Sequence, residues 1–244
     1  MHITKEMLME KGSCRNGIAW FVKRFPSGID YQEGLDAACA DNHDVFAMWG
    51  LSVFGKTDAV MEVAEINSEI SIVFAGRIVV KGAVKVLGDI FVGDGIEAGG
   101  GIEAGNRIKA GYGIKAGDGI KAGWGIEAGW GIEAGGGIEA GDGIEAGDGI
   151  ETGDEIEAGW GIEAGWGIEA GDRIKAVYGI EAGDEIKAGG GIKAGDDYGI
   201  YAGLKLRISQ KKQYATIKAI KEPKNIILGT FQLNTDKLKN KEEF

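Results

Sequence analysis

Aliphatic residues recur at a six-residue interval along most of the chain. From Ile72 to Ile192 every sixth position is Ile or Val, over 21 consecutive hexads. The usual unit is Ile-Glu-Ala-Gly-x-Gly, in which Lys replaces Glu in several copies and the fifth residue varies. An α-helix turns about 600° in six residues, which would scatter the Ile positions over three stripes. The two glycines of each unit would also cost a helix about 1 kcal/mol each relative to Ala, so the pattern excludes a helix.

A short strand fits the unit better. In Ile-Glu-Ala, the first and third side chains of a strand point to one side and the second points to the other. The Gly-x-Gly that follows supplies the permissive dihedral angles of a corner. One such unit cannot bury its apolar side alone, whereas stacked coils can. We therefore predict a β-solenoid with Ile and Ala inside, Glu or Lys outside, and the variable residue at a solvent-facing corner.

The variable corner residue indicates the number of strands per coil. When the corner residues are sorted at 18-residue intervals, all the aromatic ones fall on two corners and the third corner holds only Gly and Asp. When they are sorted at 12-residue intervals, aromatic residues fall on every corner. The first corner has Tyr112, Trp130 and Trp166, and the second has Trp124, Trp160 and Tyr178. Glu155 and Arg173 replace glycines at equivalent places three hexads apart, as expected of an opposite-charge pair on neighbouring coils. The sequence predicts three strands per coil and about seven coils over residues 66–203.

The flanking segments have other patterns. Residues 1–55 are predicted to be a compact helical module, in which Thr4, Ser13 and Asp30 begin helices as N-caps. Residues 56–71 are a connector or first coil, and residues 72–203 are the solenoid. Residues 204–244 are a strand-rich C-terminal cap and tail, because an uncovered solenoid end is an exposed sheet edge. The predicted fold class is mainly β: a three-sided parallel β-solenoid with a small N-terminal helical module and a C-terminal β cap.

Three stretches of the sequence carry a resemblance to known families. The repeats are similar to hexapeptide-repeat left-handed β-helices and to bactofilin-like solenoids. The segments "ITKEMLMEKGSCRNGIAWFVKRFPSG", "GIKAGDGIKAGWGIEAG" and "GIYAGLKLRI" resemble, in this order, proteins of enterobacterial tailed phages and prophages. That resemblance covers most of the chain and implies a phage origin. It brings no activity and no functional residues with it.

Charge and cysteine content narrow the possible settings. The net charge of the chain is −11. Residues 90–200 have 8 basic and 22 acidic groups and a net charge of −14, whereas residues 201–244 have a net charge of +6. Such an acidic body argues against direct binding of nucleic acid. The two cysteines, Cys14 and Cys39, make no disulfide framework and indicate a reducing compartment. We expect no leader and no membrane segment, and therefore a cytoplasmic protein.

Catalytic motifs are missing from the repeats. Hexapeptide acyltransferases use a histidine on a coil as general base, but the histidines of this chain, His2 and His43, both precede the repeats. The sequence has no P-loop, GxSxG or HExxH motif. Its Gly-x-Gly units do not lie between one strand and one helix, and their period differs from that of calcium-binding β-rolls. We therefore predict a protein that is not an enzyme, with no cofactor and no metal.

The predicted surface carries the candidate partner-binding residues. At 18-residue steps, the outward position of one side is Glu in four successive coils. These residues are Glu127, Glu145, Glu163 and Glu181. The corner tryptophans Trp124, Trp130, Trp160 and Trp166 are candidate anchors, since aromatic residues are common at binding hot spots. The alternatives are a solvated acidic face that limits association and tryptophans that only shield the corner backbone.

Charge density leads to the functional hypothesis. Residues 90–200 would make about six coils and a rod of roughly 29 Å, with one negative charge per about 2 Å, against one per about 1.7 Å in duplex DNA. We expect a binding protein that inhibits a host nuclease, DNA-binding protein or defence factor by mimicking DNA, with a homo-oligomer possible. The alternatives are a self-assembling structural solenoid and, third, an acyltransferase-like enzyme.

Overall fold

The structure is a computed structural model that describes residues 1–204 and 215–235. Within these residues, a group of helices at the N-terminus is followed by a parallel β-solenoid of about nine turns with three sheets. The three-sided fold and the 18-residue period predicted from the corner residues are confirmed. The predicted number of about seven coils is wrong, because strands before Ile66 and after Gly203 also belong to the sheets.

The helical module consists of four helices and a short strand pair. The helices are α1 (Lys5–Glu10), α2 (Arg15–Arg24), α3 (Tyr31–Ala40) and α4 (Asp44–Phe54), and the antiparallel strands are β1 (His2–Ile3) and β2 (Ile29–Asp30). Thr4 and Asp30 cap α1 and α3 as predicted. The predicted cap of α2 is wrong by one position, because the Cys14 thiol, and not the Ser13 hydroxyl, accepts from the amide of Gly17 at 3.4 Å.

The solenoid strands form three parallel sheets, named A, B and C in the order in which the repeats pass through them. In the described residues, sheet A has nine strands: Ile72–Phe74, Ile90–Val92, Ile108–Ala110, Ile126–Ala128, Ile144–Ala146, Ile162–Ala164, Ile180–Ala182, Ile200–Tyr201 and Ile226–Leu228. Sheet B has ten: Val60–Val63, Arg77–Val80, Ile96–Ala98, Ile114–Ala116, Ile132–Ala134, Ile150–Thr152, Ile168–Ala170, Ile186–Ala188, Thr216–Ala219 and Thr230–Leu233. Sheet C has eight: Ile66–Ser68, Val84–Val86, Ile102–Ala104, Ile120–Ala122, Ile138–Ala140, Ile156–Ala158, Ile174–Ala176 and Ile192–Lys193.

The interior is a stack of identical layers. Ile144 pairs in register with Ile126 on one side and Ile162 on the other, and the repeat alanines pair in the same way. From Ile90 to Ile186 every hexad-leading Ile is at most 1% exposed. The middle residue of each repeat strand points outward, so the alternation predicted from Ile-Glu-Ala is observed. Because equal side chains stack on one another, a single repeated six-residue unit can fill the interior of every coil.

The repeat glycines are required for close contact between coils. We predicted permissive backbone angles at the corners, and this reason is wrong: among the described residues, the glycines with positive φ are Gly12, Gly28, Gly55, Gly203 and Gly229, all outside the Ile-Glu-Ala-Gly-x-Gly repeats. The first glycine of each corner instead lies against the backbone of the previous coil. A Cβ on Gly147 would stand 2.1 Å from the carbonyl oxygen of Gly129, a distance that no side-chain movement can relieve.

The C-terminal strands extend the sheets. Thr216–Ala219 and Thr230–Leu233 continue sheet B, and Ile226–Leu228 continues sheet A, all in parallel pairing. Of the predicted cap and tail, residues 205–214 and 236–244 lie outside the described residues. No helix in the described part of the chain is both long and apolar enough to cross a membrane.

Candidate protein-binding face

Sheet A carries a continuous row of carboxylates. Register pairs join Glu127 to Glu145, Glu145 to Glu163, and Glu163 to Glu181, so the four predicted residues occupy the same outward position on adjacent strands. Strand spacing puts neighbouring members about 4.8 Å apart. The first three are exposed and Glu181 is half-buried. We call these four residues the acidic row.

The acidic row is not balanced by cations. Lys109 forms an ion pair with Glu127 at one end. Among the described residues, Glu145, Glu163 and Glu181 make no ion pair. Like charges directly opposite each other on neighbouring strands are destabilising, so these three carboxylates cost the fold stability.

On the other two sheets, every outward carboxylate from Glu97 to Glu169 except Glu151 forms an ion pair among the described residues. On sheet B, Lys115 pairs with Glu133 at 2.7 Å and Lys187 pairs with Glu169 at 2.6 Å. On sheet C the pairs are Lys85–Glu103, Lys121–Glu139 and Lys175–Glu157. The hydrogen bond to Glu133 raises the pKa of Lys115, as the one to Glu139 raises the pKa of Lys121. The outward row of sheet C from Glu103 to Lys193 has three acidic and three basic residues, and that of sheet B from Glu97 to Lys187 has four acidic and two basic residues. Among the described residues, consecutive outward carboxylates without an ion pair are therefore found on sheet A.

Both aromatic corners border sheet A. Trp130 and Trp166 lie at the corner between sheets A and B, and Trp124 and Trp160 lie at the corner between sheets C and A. Their exposed fractions range from 53% to 64%. Because two edges of a triangular prism share one face, the tryptophans flank the acidic row on both sides. This arrangement can be read from the sequence, because the corner tryptophans directly precede or follow the strands that carry the acidic row.

Tyrosines lengthen both aromatic rows. Tyr112 stacks on Trp130 with ring centroids 4.4 Å apart. On the opposite edge, Tyr178 lies 5.9 Å from Trp160 and stacks on Tyr198 at 4.5 Å. Trp130 and Trp160 are therefore held by ring contacts along the rod, and both remain open to solvent. Such partly ordered rings offer apolar area at low entropic cost.

The helical module closes one end of this face. The outward residues of the first two strands of sheet A, Val73 and Phe91, pack into the core of the module. The side-chain amide of Gln32 donates to the carbonyl of Val73 at 2.8 Å and accepts from the amide of Ala75 at 2.9 Å. Gln32 thus satisfies backbone groups of an edge strand that would otherwise be open to pairing. Sequence reasoning missed this contact because it joins segments that are remote from each other in the chain.

Arg107 joins the module to the solenoid next to the acidic row, because its guanidinium donates to the sulfur of Met48 in α4 at 3.8 Å. Its Nε lies 3.1 Å from a carboxylate oxygen of the buried Asp89. Its guanidinium carbon lies 5.2 Å from the ring centroid of Phe91 and 5.9 Å from that of Trp124. A cation between two aromatic faces and a carboxylate is a stabilising arrangement. The chain therefore places its own cation at the module end of sheet A.

The unbalanced row gives a stability prediction. In Glu163→Lys, the new ammonium lies opposite Glu145 and Glu181, so two like-charge contacts become attractive ones. We expect the free energy of unfolding to rise by about 1 kcal/mol, since each cross-strand pair contributes roughly 0.2–1 kcal/mol.

The matched control is Glu103→Lys on sheet C, which places a third lysine between Lys85 and Lys121 and should lower stability. Thermal unfolding followed by circular dichroism measures both variants. Equal destabilisation by the two substitutions would contradict the assignment of an unbalanced row.

The two histidines, which are candidate catalytic or metal-binding side chains, lie outside this face. His2 and His43 both belong to the helical module, where the His2 ring contacts the carbonyl of Ser27 and the His43 ring packs against Trp20 and Phe46. In the described residues, no three His, Cys, Asp or Glu side chains are grouped so that they could hold a metal ion. Burial raises the pKa of the Cys39 thiol to about 12.

Fold and face together define a class of protein: a parallel β-solenoid with a docked helical module and one acidic face bordered by aromatic residues. Residues 1–52 match the family model described as the YdhT N-terminal domain. The matched range covers the module almost to the end of α4 at Phe54. No match was found among curated proteins or among solved structures.

Proposed function

We propose that the chain is a non-catalytic, phage-type binding protein of the host cytoplasm. In this proposal it inhibits a nucleic-acid enzyme or defence factor of the host by occupying that partner's DNA-binding channel. The observation that carries the proposal is the acidic row, in which Glu145, Glu163 and Glu181 follow one another without a cation among the described residues. On the other two faces the described residues leave one outward carboxylate between 97 and 169, Glu151, without an ion pair, so the solenoid does not require a row of three.

Charge density supports this function. Residues 90–200 carry a net charge of −14, and about six coils at 4.8 Å give one negative charge per about 2 Å of axis, close to the density of duplex DNA. A basic channel would attract such a rod over the Debye length. The tryptophans beside the row would supply the short-range contacts that fix the complex.

The end of the solenoid nearest the module argues against the structural alternative. End-to-end assembly needs open sheet edges, and Gln32 occupies backbone groups of the first strand of sheet A. The described C-terminal strands also depart from the regular repeat, because Ile200 pairs with Ile226 through a register shift. Filaments seen by electron microscopy of the purified protein would favour the structural alternative over inhibition.

The test is capture from an enterobacterial lysate, followed by an activity assay of the captured protein. We expect a nuclease or DNA-binding protein to be retained at about 0.1 M salt, released at higher salt where charges are screened, and displaced by duplex DNA. The purified chain should then inhibit that protein.

Two variants with equal net charge sharpen this test. Glu145, Glu163 and Glu181 are changed together to Gln on sheet A, and Glu103, Glu139 and Glu157 are changed together to Gln on sheet C. Only the sheet A variant should lose most of its inhibition and flatten the salt dependence. A folded sheet A variant that inhibits as well as the native chain would exclude DNA mimicry by this face.

A further inference from the structure

Sheet A between its two aromatic rows has the dimensions of a site for one α-helix. We propose that this face docks a helix of the partner, lying along the rod axis, with a stripe of Lys and Arg turned toward the acidic row. This inference rests on the proposed function and specifies which element of the partner is bound. The alternatives are an extended basic segment and a diffuse attraction to the whole rod.

The chain itself shows how cations occupy this face. Lys109 stands in register with the acidic row and forms an ion pair with its first member, Glu127. Arg107 lies beside Trp124 at the neighbouring corner. Farther along the same sheet, the outward carboxylates and the flanking rings recur, but the described residues provide no cation for Glu145, Glu163 or Glu181. A basic partner would continue the arrangement that Arg107 and Lys109 begin.

The width of the face favours a helix. The corner positions of Trp124 and Trp130 are six residues apart, with the strand Ile126–Ala128 between them, so they lie at most about 20 Å apart at 3.3 Å per residue. An α-helix with its side chains is about 10–12 Å across. A single helix therefore fits over the acidic row and leaves about 4–5 Å on each side, a space in which the exposed aromatic rings can contact it. The aliphatic stems of Lys and Arg can pack on the tryptophans while their charged ends reach the carboxylates.

The spacing along the axis also favours a helix over a strand. From Glu145 to Glu181 there are two strand intervals, or about 9.6 Å. Two helical turns advance about 10.8 Å, which long basic side chains can accommodate. Same-face residues of an extended segment recur at about 6.6 Å, so two intervals span about 13.2 Å. Its third cation would miss the third carboxylate by about 3.6 Å, nearly a whole strand spacing.

The probe for this inference is a set of three synthetic peptides of equal length and charge. The first is an Ala-rich helix with Lys and Arg at every third or fourth position, so that they form one stripe. The second has the same composition with its cations distributed around the helix. The third places the same cations at alternate positions among threonines, which favour an extended strand with all the cations on one side. Binding to the full chain is measured by calorimetry at about 0.15 M salt, where long-range attraction is screened.

We expect the stripe peptide to bind at least about tenfold more tightly than either isomer, which corresponds to about 1.4 kcal/mol. The triple variant Glu145→Gln, Glu163→Gln and Glu181→Gln should remove this preference, and the matched sheet C variant should keep it. Trp130→Ala and Trp160→Ala should each weaken binding of the stripe peptide more than binding of the other two peptides. Equal affinities for the three peptides, tighter binding of the extended one, or equal losses in both triple variants would overturn helix docking.

The two proposals fail separately. Selective binding of the stripe peptide, without capture or inhibition of any nucleic-acid enzyme, would retain helix docking and reject the proposed function. Inhibition that depends on the acidic row, with equal affinity for all three peptides, would retain the proposed function and reject helix docking.

Discussion

Ile144→Ala should lower the free energy of unfolding by about 2–5 kcal/mol, the usual cost of removing such a side chain from a packed core. Ile144 is 1% exposed and lies between Ile126 and Ile162 in the middle of the rod. No neighbour can fill the cavity by a simple rotation, because every layer is already occupied by the same residue. Ile144→Asp should unfold the central coils, since it buries an unpaired carboxylate.

The control for this prediction lies in the same coil. Asp148 stands at the corner between sheets A and B, and Asp148→Asn should change stability by less than about 0.5 kcal/mol, as is usual for surface positions. Urea-induced unfolding followed by far-ultraviolet circular dichroism gives both values. Similar shifts of the midpoint for the two variants would contradict the assignment of Ile to the interior and of the fifth residue to the surface.

The regular coils were predictable because their register is repeated in the sequence. Each regular coil is three hexads long, so Ile pairs with Ile and the corner residues sort without ambiguity. The Glu155–Arg173 pair, predicted from this interval alone, has a nitrogen–oxygen distance of 2.6 Å. A single short motif would not have been enough, because one very short strand is compatible with many folds.

The predicted number of coils was too low because the intervals between the terminal coils change. Met61 pairs with Ile78, an interval slightly shorter than three hexads, so the first coil is out of phase with the repeats. At the other end, Ile180 pairs with Ile200 and Ile186 pairs with Ile217, and both intervals are longer than three hexads. A change of interval leaves the pairing intact while it removes the periodic signal from the sequence. The sequence therefore identified the body of the solenoid and indicated too few coils.

The candidate face was predictable in part. The four members of the acidic row followed from the interval between coils, as did the tryptophans on two corners. The position of the helical module did not, because it depends on contacts of Gln32 and Arg107 with residues remote from them in sequence. Neither residue belongs to a motif that would reveal its partner. Tertiary contacts of this kind decide where the face ends, and they cannot be predicted from the periodicity of the sequence.

The two glycines of a corner should respond differently to the same substitution. Gly147 and Gly149 flank Asp148, and both have backbone angles that alanine can adopt. A Cβ at Gly147 would lie 2.1 Å from the carbonyl oxygen of Gly129, whereas a Cβ at Gly149 would lie 3.4 Å from that of Gly167, an ordinary contact. The sequence agrees with this difference. Between residues 93 and 195, the position of Gly149 is occupied by other residues in Arg107, Glu155, Arg173 and Glu185, and the position of Gly147 only in Val177.

We therefore expect Gly147→Ala to lower the free energy of unfolding by about 2–3 kcal/mol, at the upper end of the usual range for overpacking. The new Cβ forces the two backbones apart, so the hydrogen bond from the amide of Gly147 to the carbonyl of Ala128 must lengthen from its 3.0 Å. The corresponding bond at Val177 is 3.3 Å long, which shows the direction of that change. Gly149→Ala should be neutral or stabilising by up to about 1 kcal/mol, since alanine restricts the unfolded chain. Urea unfolding of the two variants measures the difference. If Gly149→Ala were as damaging as Gly147→Ala, the glycines would be required by corner conformation and not by the contact between coils.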